Sequence, residues 1–528
     1  MATKKKDNKK LLKIIIVAAV VVIIGVALVV VLNLPGSEDN KDTQEVTKEA
    51  KISDTVDKNK MHQAEPALND KGEVKENGIG ELINYIPRKI KTIKVENDNG
   101  SFQIKSYTPV KKTKDKNGKT KTETQATEYT LVGYEDKSIA EGKPDSVASD
   151  AAAMSFTKIV SVSGDEDSDF GFDKPKATVT VGYTDKTNSK FYVGDKAPNG
   201  TGYYVKFGTG KSIYLVDKDS VDSFLYSVYD LIDLNVTKAA SEGDTATPQT
   251  VHLSGTHYKE DIEFEDSTDD TATTNYIITQ PAKYYGNDTT CSEIEAGIRG
   301  VAAKAVVCLN PTSADLQKFG LATPYAELTA TYKDTVVELQ ASKPDSKKYC
   351  YLMVKGGDVI YKILTDSIRW TTSSLDKMRS DYFVDNKITS LSKTEVSFGK
   401  NNYTFDLETK TSTTSDNQTT TDTTVKYNGK QISFGYFQTA FDYMHGATFT
   451  REDFSHEKIT GKPEMTVKFT YTSDSGRSAD TLELYKVNNS KYVGVVNGEQ
   501  ISYVYKTAIT SLQEQFTNAT KSSPKDDK

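Results

Sequence analysis

The 528-residue chain reads as an α+β protein: a single N-terminal transmembrane helix, then three repeated α+β modules with mainly antiparallel sheets. Three observations carry that reading. Residues 14–32 form a run of 19 uncharged, mostly branched apolar residues. A pattern of proline, alternating strand and tyrosine-bracketed hairpin recurs three times further on. The composition, with 30 tyrosines against one tryptophan, leans towards strands. A chain of this length exceeds a single core and suggests three or four domains at about 150 residues each.

The elements follow in order. Residues 1–13 form a basic cytoplasmic tail with six lysines and one aspartate. Residues 14–34 are the expected transmembrane helix, since a helix rising about 1.5 Å per residue crosses most of a ~30 Å hydrocarbon core. The lysines before it leave the N-terminus in the cytoplasm and the bulk of the chain extracytoplasmic. A cleaved signal peptide fits less well. Its apolar region is usually about 7–15 residues and ends in small residues, whereas this run ends Val29-Val30-Val31-Leu32-Asn33-Leu34-Pro35. No cysteine follows to carry a lipid. Residues 35–83 are polar and read as a flexible stalk with a root-mean-square reach of roughly 40 Å. Residues 521–528 read as a polar, frayed tail.

Between stalk and tail the repeat sets the architecture. With Pro175, Pro324 and Pro463 as origins, apolar residues recur at period two: Val179, Val181 and Tyr183; Leu328, Ala330 and Tyr332; Val467, Phe469 and Tyr471. That is the signature of a half-buried strand, and proline belongs before it because it donates no ladder hydrogen bond. A second strand follows at residues 191–193, 336–339 and 482–485. Next comes a hairpin from Tyr204 to Tyr214, Tyr351 to Tyr361 and Tyr492 to Tyr503, each enclosing glycine. Helices are expected after the hairpins, at 220–231, 367–378 and 506–516, and before the prolines, at 146–159, 293–309 and 432–444. The modules then fall at 84–237, 238–386 and 387–520, the last divergent. Thr-rich insertions at 111–127, 263–274 and 409–424 read as long hairpin tips or loops.

These motifs carry a resemblance. The aromatic-Gly-Leu-x-x-Pro turn at Phe319–Pro324, the strand after it, the Tyr-bracketed hairpin and the N-terminal anchor resemble the domain-of-unknown-function 4340 family of bacterial membrane-anchored envelope proteins. Phe170-Gly171-Phe172-Asp173-Lys174-Pro175 is the second copy of the turn. The third module lacks the Phe-Gly-Leu start, and the second lacks the glycine that follows the second strand at Gly194 in the first. The resemblance implies an extracytoplasmic protein associated with ABC-type transport systems, and it brings no catalytic residue with it.

Chemistry is sparse. The five histidines, His62, His252, His257, His445 and His456, show no zinc-motif spacing, and no Cys-x-x-Cys, Gly-x-Ser-x-Gly elbow or phosphate-binding loop occurs. Cys291, Cys308 and Cys350 allow one bridge at most and read as small buried hydrophobes. Asp165-Glu166-Asp167-Ser168-Asp169 alternates acids as a calcium loop does. Its sixth place is Phe170, where glycine is required, and its twelfth is Lys176, where a bidentate glutamate belongs. It reads as a solvated acidic loop, as do Glu265-Asp266 and Asp269-Asp270. The recurrent tyrosines read as packing residues, while Tyr203, Tyr284, Tyr285 and Tyr349 are better placed for an interaction surface. The net charge of −7 leaves −12 beyond the basic tail, which argues against a nucleic-acid-binding face. The expectation is a non-enzymatic membrane-tethered scaffold without cofactor, metal or catalytic residue, partnered by ABC-type transporter subunits or other envelope proteins. The alternative is a surface adhesin or cell-wall glycan binder.

Overall fold

The computed structural model describes residues 80–114, 119–162, 166–241, 247–413, 419–446 and 457–527. The basic tail, the expected transmembrane helix and residues 35–79 of the stalk lie outside the described residues. No helix among the described residues is long and apolar enough to cross a membrane. The last residues assigned to the stalk begin a strand instead, β1 (Gly80–Asn84), because Leu82 and Ile83 are buried.

Sheet one contains β1, β2 (Ile90–Asn97), β3 (Gly100–Tyr107), β6 (Glu128–Leu131), β7 (Ala153–Ser161), β8 (Ala177–Tyr183), β9 (Asn188–Lys196), β10 (Gly202–Phe207) and β11 (Ile213–Asp217), in the order β1-β7-β11-β10-β9-β8-β2-β3-β6. The insertion between β3 and β6 makes a separate two-stranded ribbon, β4 (Val110–Lys114) and β5 (Thr120–Thr124). Sheet two contains β12 (Thr250–Ser254), β13 (Ile262–Asp266), β14 (Tyr276–Gln280), β15 (Tyr284–Tyr285), β16 (Ala305–Leu309), β17 (Ala326–Thr331), β18 (Val336–Ala341), β19 (Tyr349–Val354) and β20 (Val359–Leu364). Its order, β16-β20-β19-β18-β17-β12-β13-β14-β15, repeats that of sheet one from β7 to β6 and adds β15 at the edge. Sheet three contains β21 (Leu391–Phe398), β22 (Asn401–Thr413), β23 (Thr419–Tyr427), β24 (Lys430–Gln431), β25 (Met465–Tyr471), β26 (Ala479–Lys486), β27 (Lys491–Val496) and β28 (Glu499–Tyr505). It repeats the same order as β28-β27-β26-β25-β21-β22-β23, with β24 beside β23. The stretch that would hold the counterpart of β7 and β16 includes residues 447–456, which lie outside the described residues.

The repeat-defining residues sit where their spacing places them. β8, β17 and β25 each start two residues after the proline and alternate buried positions with half-buried or exposed ones. Tyr183, Tyr332 and Tyr471 end these strands or follow them directly, each 4% exposed. Gly171 and Gly320 have φ of 81° and 69°, the left-handed conformation that the turn before the strand requires.

Two of the six expected helices stand where their spacing places them, over Phe434–Gly446 and Lys506–Lys521, and the other four depart from expectation in whole or in part. Six helices occur among the described residues: α1 (Lys143–Ala152), α2 (Asp288–Ala296), α3 (Ser313–Lys318), α4 (Leu375–Met378), α5 (Phe434–Gly446) and α6 (Lys506–Lys521). The protein is therefore mainly β, not evenly α+β. The expected helix at 146–159 stops at Ala152 and continues as β7, where alternation and the branched Thr157, Ile159 and Val160 favour a strand. Residues 305–309 likewise form β16. After the first two hairpins the chain makes 3-10 turns, with only α4 added. Ser227 and Asp230 form a capping box that opens the 3-10 turn Val228–Leu231, and Ser373 Oγ donates to the Arg369 carbonyl at 3.0 Å. The tail is docked, not frayed. Asp527 accepts from the backbone N–H of Gly435 at 3.0 Å and of Phe434 at 3.2 Å, capping α5.

One hydrophobic core runs through sheets one and two, from Leu82 to Met378, and a second lies within sheet three, from Phe383 to Ala519. The joint between the first two sheets reflects that continuity. Val236 N–H donates to the Val301 carbonyl at 2.8 Å and Ala303 N–H to the Leu234 carbonyl at 2.7 Å. The buried Lys137 ammonium sits 2.5 Å from both Asp136 and Asp358.

Candidate functional site

The densest set of charged and aromatic side chains lies where sheet two meets sheet three. It forms because the loop of the β13–β14 hairpin, expected as a hairpin tip or loop, folds against the following sheet. Arg477, in the turn between β25 and β26, is the hub. Its Nη1 donates to Thr271 Oγ1 at 2.8 Å, to the Asp385 carbonyl at 3.0 Å and to Asp269 Oδ2 at 3.3 Å. Its Nη2 donates to Asp480. The guanidinium lies 4.3 Å from the Tyr471 ring centre and 5.8 Å from that of Tyr285.

The surrounding groups are equally engaged. Asp385 is fully buried and accepts from the N–H of Thr273 at 2.7 Å, the N–H of Thr274 at 3.2 Å and both hydroxyls. Asp269 accepts from Thr271 N–H at 2.9 Å and from the Tyr285 hydroxyl at 3.0 Å. Lys387 N–H donates to the Thr271 carbonyl at 2.7 Å, and its ammonium to the Asp270 carbonyl at 2.9 Å. Arg379 donates to the Ile501 carbonyl of β28 and lies 4.2 Å from the Tyr284 ring centre. Asp269, Tyr284, Tyr285, Arg477 and Asp480 line a cleft of about 290 Å3 together with Lys283, Phe383 and Asn497.

Electrostatics follow the contacts. Burial would raise Asp269, but the bonds from Thr271 and Tyr285 and the charge of Arg477 hold it below the usual aspartate range. Burial likewise opposes the charge on Arg477, and the facing tyrosines and carboxylates more than offset it, so its pKa rises. Tyr285 and Tyr471 are pushed far up, first by burial and then by the neighbouring carboxylates, and stay neutral donors. The arrangement clamps one sheet to the next; its polar groups are committed to one another.

A second, acidic cleft of about 400 Å3 lies in the first unit, between α1 and the 3-10 turns, lined by Asp145, Asp150, Asp219 and Asp222. Burial raises Asp150, and Ser223 Oγ donates to it at 2.5 Å. No group of three or more His, Cys, Asp or Glu suited to a metal ion occurs among the described residues.

The residues singled out by the sequence scatter. Asp165 lies outside the described residues, and Asp167 pairs with Lys206 at the head of a 3-10 turn. His252 faces Asp261 at 3.4 Å, and His257 Nε2 lies 2.6 Å from the Ser373 carbonyl. Cys291, Cys308 and Cys350 are buried thiols, and Cys291 Sγ lies 3.9 Å from the Met378 carbonyl. Asp269 is not a solvated acid but part of the clamp. Tyr284 and Tyr285 pack inside the joint, under Arg379 and against Asp269. Lys362 lies over the Tyr349 ring at 4.7 Å. Arg477 and Asp385 carry no motif, and only the fold brings them together.

Fold and site together define a tandem-repeat antiparallel β protein whose most elaborate polar site is an inter-sheet clamp. The profile of the domain of unknown function (DUF4340) matches residues 130–313 and again residues 277–433. The two matches begin in β6 and in β14, which hold equivalent places in their sheets, and together they span more than half of the chain. The chain belongs to this family. No curated protein and no solved structure matches it.

Proposed function

We propose that the protein is a non-enzymatic, membrane-tethered extracytoplasmic scaffold that works as an accessory to an ABC-type transport complex. The observation that carries the scaffold reading is the ion pairing at the two joints. Lys137 pairs with Asp358 and Arg477 with Asp269, which ties each sheet to the next. Tethering rests on the apolar run at 14–32 behind its lysines, and the transporter on the family's association. The anchor sets orientation, the stalk sets reach, and the sheets supply contact area. Extraction from its own membranes in mild detergent should co-purify a membrane protein; recovery of the chain alone contradicts the proposal.

Solvent-exposed tyrosines, Tyr107, Tyr229, Tyr436 and Tyr505, favour a second reading as an adhesin or cell-wall glycan binder. Retention on purified wall polysaccharide would select that reading, and the scaffold reading expects none.

A further inference from the structure

We infer that the ribbon β4–β5 is a docking surface for the anionic headgroups of a phospholipid bilayer, and that it decides which end of the folded body faces the membrane. The inference relies on the tethered reading above only for the nearness of a bilayer; the chemistry is the ribbon's own.

Charge is segregated along the chain. Residues 88–124 carry eleven lysines and arginines against four acids, a net +7, whereas residues 125–528 carry 43 against 57, a net −14. The ribbon presents part of that positive charge on a structure that packs into no core, since every residue of both strands is exposed. Lys112 pairs with Thr122, Lys114 with Thr120 and Val110 with Thr124, so strand periodicity puts Val110, Lys112 and Lys114 on one face. Lys111 and Lys121 belong to the other, with Glu123 opposite Lys111.

A second observation selects a bilayer over a soluble polyanion. Tyr107 at the ribbon's base is 67% exposed, and Val110 is 51% exposed. A phenol ring and a branched aliphatic beside several ammonium groups suit a water–hydrocarbon interface. A soluble phosphate would engage the lysines and leave both apolar groups in water. An anionic surface repels the −14 remainder and attracts the ribbon end. Each lysine near such a surface favours partitioning by about fivefold, within a Debye length of about 10 Å at 0.1 M salt.

The test uses the full chain with Tyr107→Trp, reconstituted into vesicles that carry a headgroup-region quencher. Trp370, the native tryptophan, is fully buried and gives a constant background. The expected result is several-fold stronger quenching in vesicles with roughly one-third anionic lipid than in neutral ones. That excess should vanish at about 1 M salt, where the Debye length falls to about 3 Å. It should also vanish when Lys111, Lys112, Lys114 and Lys121 are all changed to Glu, with the circular dichroism unchanged because the ribbon supports no core. Equal quenching in both lipids, or quenching indifferent to the lysines, overturns the inference. Flotation in high salt reports on the tether separately: a chain that sinks refutes the anchor, while the quenching at low salt still decides the ribbon.

Discussion

Replacing Arg477 with alanine tests the clamp between sheets two and three. The side chain is 18% exposed and faces Asp269 and Asp480, themselves 24% and 11% exposed. Removing one partner of a fully buried ion pair costs about 3–5 kcal/mol, because the remaining charge is stranded. Partial access to water lowers this to about 2–4 kcal/mol here, including the lost bonds to Thr271 and the Asp385 carbonyl. The loss should be local, since each sheet keeps its hydrophobic packing. Amide hydrogen exchange resolves it. The N–H groups of Thr273, Thr274 and Lys387, whose bonds cross the joint, should exchange about 30- to 1,000-fold faster, while amides in β8 and β17 keep their protection. Arg477→Lys should fall between, because one ammonium cannot reach every partner of the fork. Unchanged exchange at those three amides, or an equal rise across all three sheets, would refute the reasoning.

Acid should loosen the same joint. The native pKa of Asp269 lies below its unfolded value, so its contribution is complete above the ordinary aspartate value of about 3.9 and is lost as the pH falls through the depressed native one. Crosslinks between sheets two and three that persist unchanged in that acidic range would contradict this. Gly494→Ala in β27 should cost about 1–3 kcal/mol by overpacking, because its Cβ would stand 2.3 Å from the Phe383 ring; an unaltered thermal midpoint would argue against the placement of Phe383. Cys350 should resist alkylation at pH 8 in the folded protein, since burial pushes its thiol up to about 12. Mass spectrometry should find it modified only after denaturation, and rapid native labelling would contradict its burial.

The repeat was legible because it is written in short-range chemistry. Proline before a strand, period-two burial and glycine in a hairpin each act within a few residues, and they placed β8 to β11, β17 to β20 and β25 to β28. The helices after the first two hairpins were misread because apolar spacing does not distinguish a series of 3-10 turns from an α-helix. The clamp was illegible for another reason. Arg477 and Asp269 are 208 residues apart, and no short-range pattern links them. Asp527, read as part of a frayed tail, caps a helix that begins 93 residues earlier. Such long-range polar contacts follow from the order of strands in three sheets, which no local pattern encodes.

The account's central claim is that this series of clamped sheets positions a membrane partner and performs no chemistry of its own. Lysine-directed crosslinking in intact cells, read by mass spectrometry, tests it most directly. The prediction is a reproducible set of links from the described sheets to one integral membrane protein, alongside links within the chain. Links confined to the chain itself would contradict it.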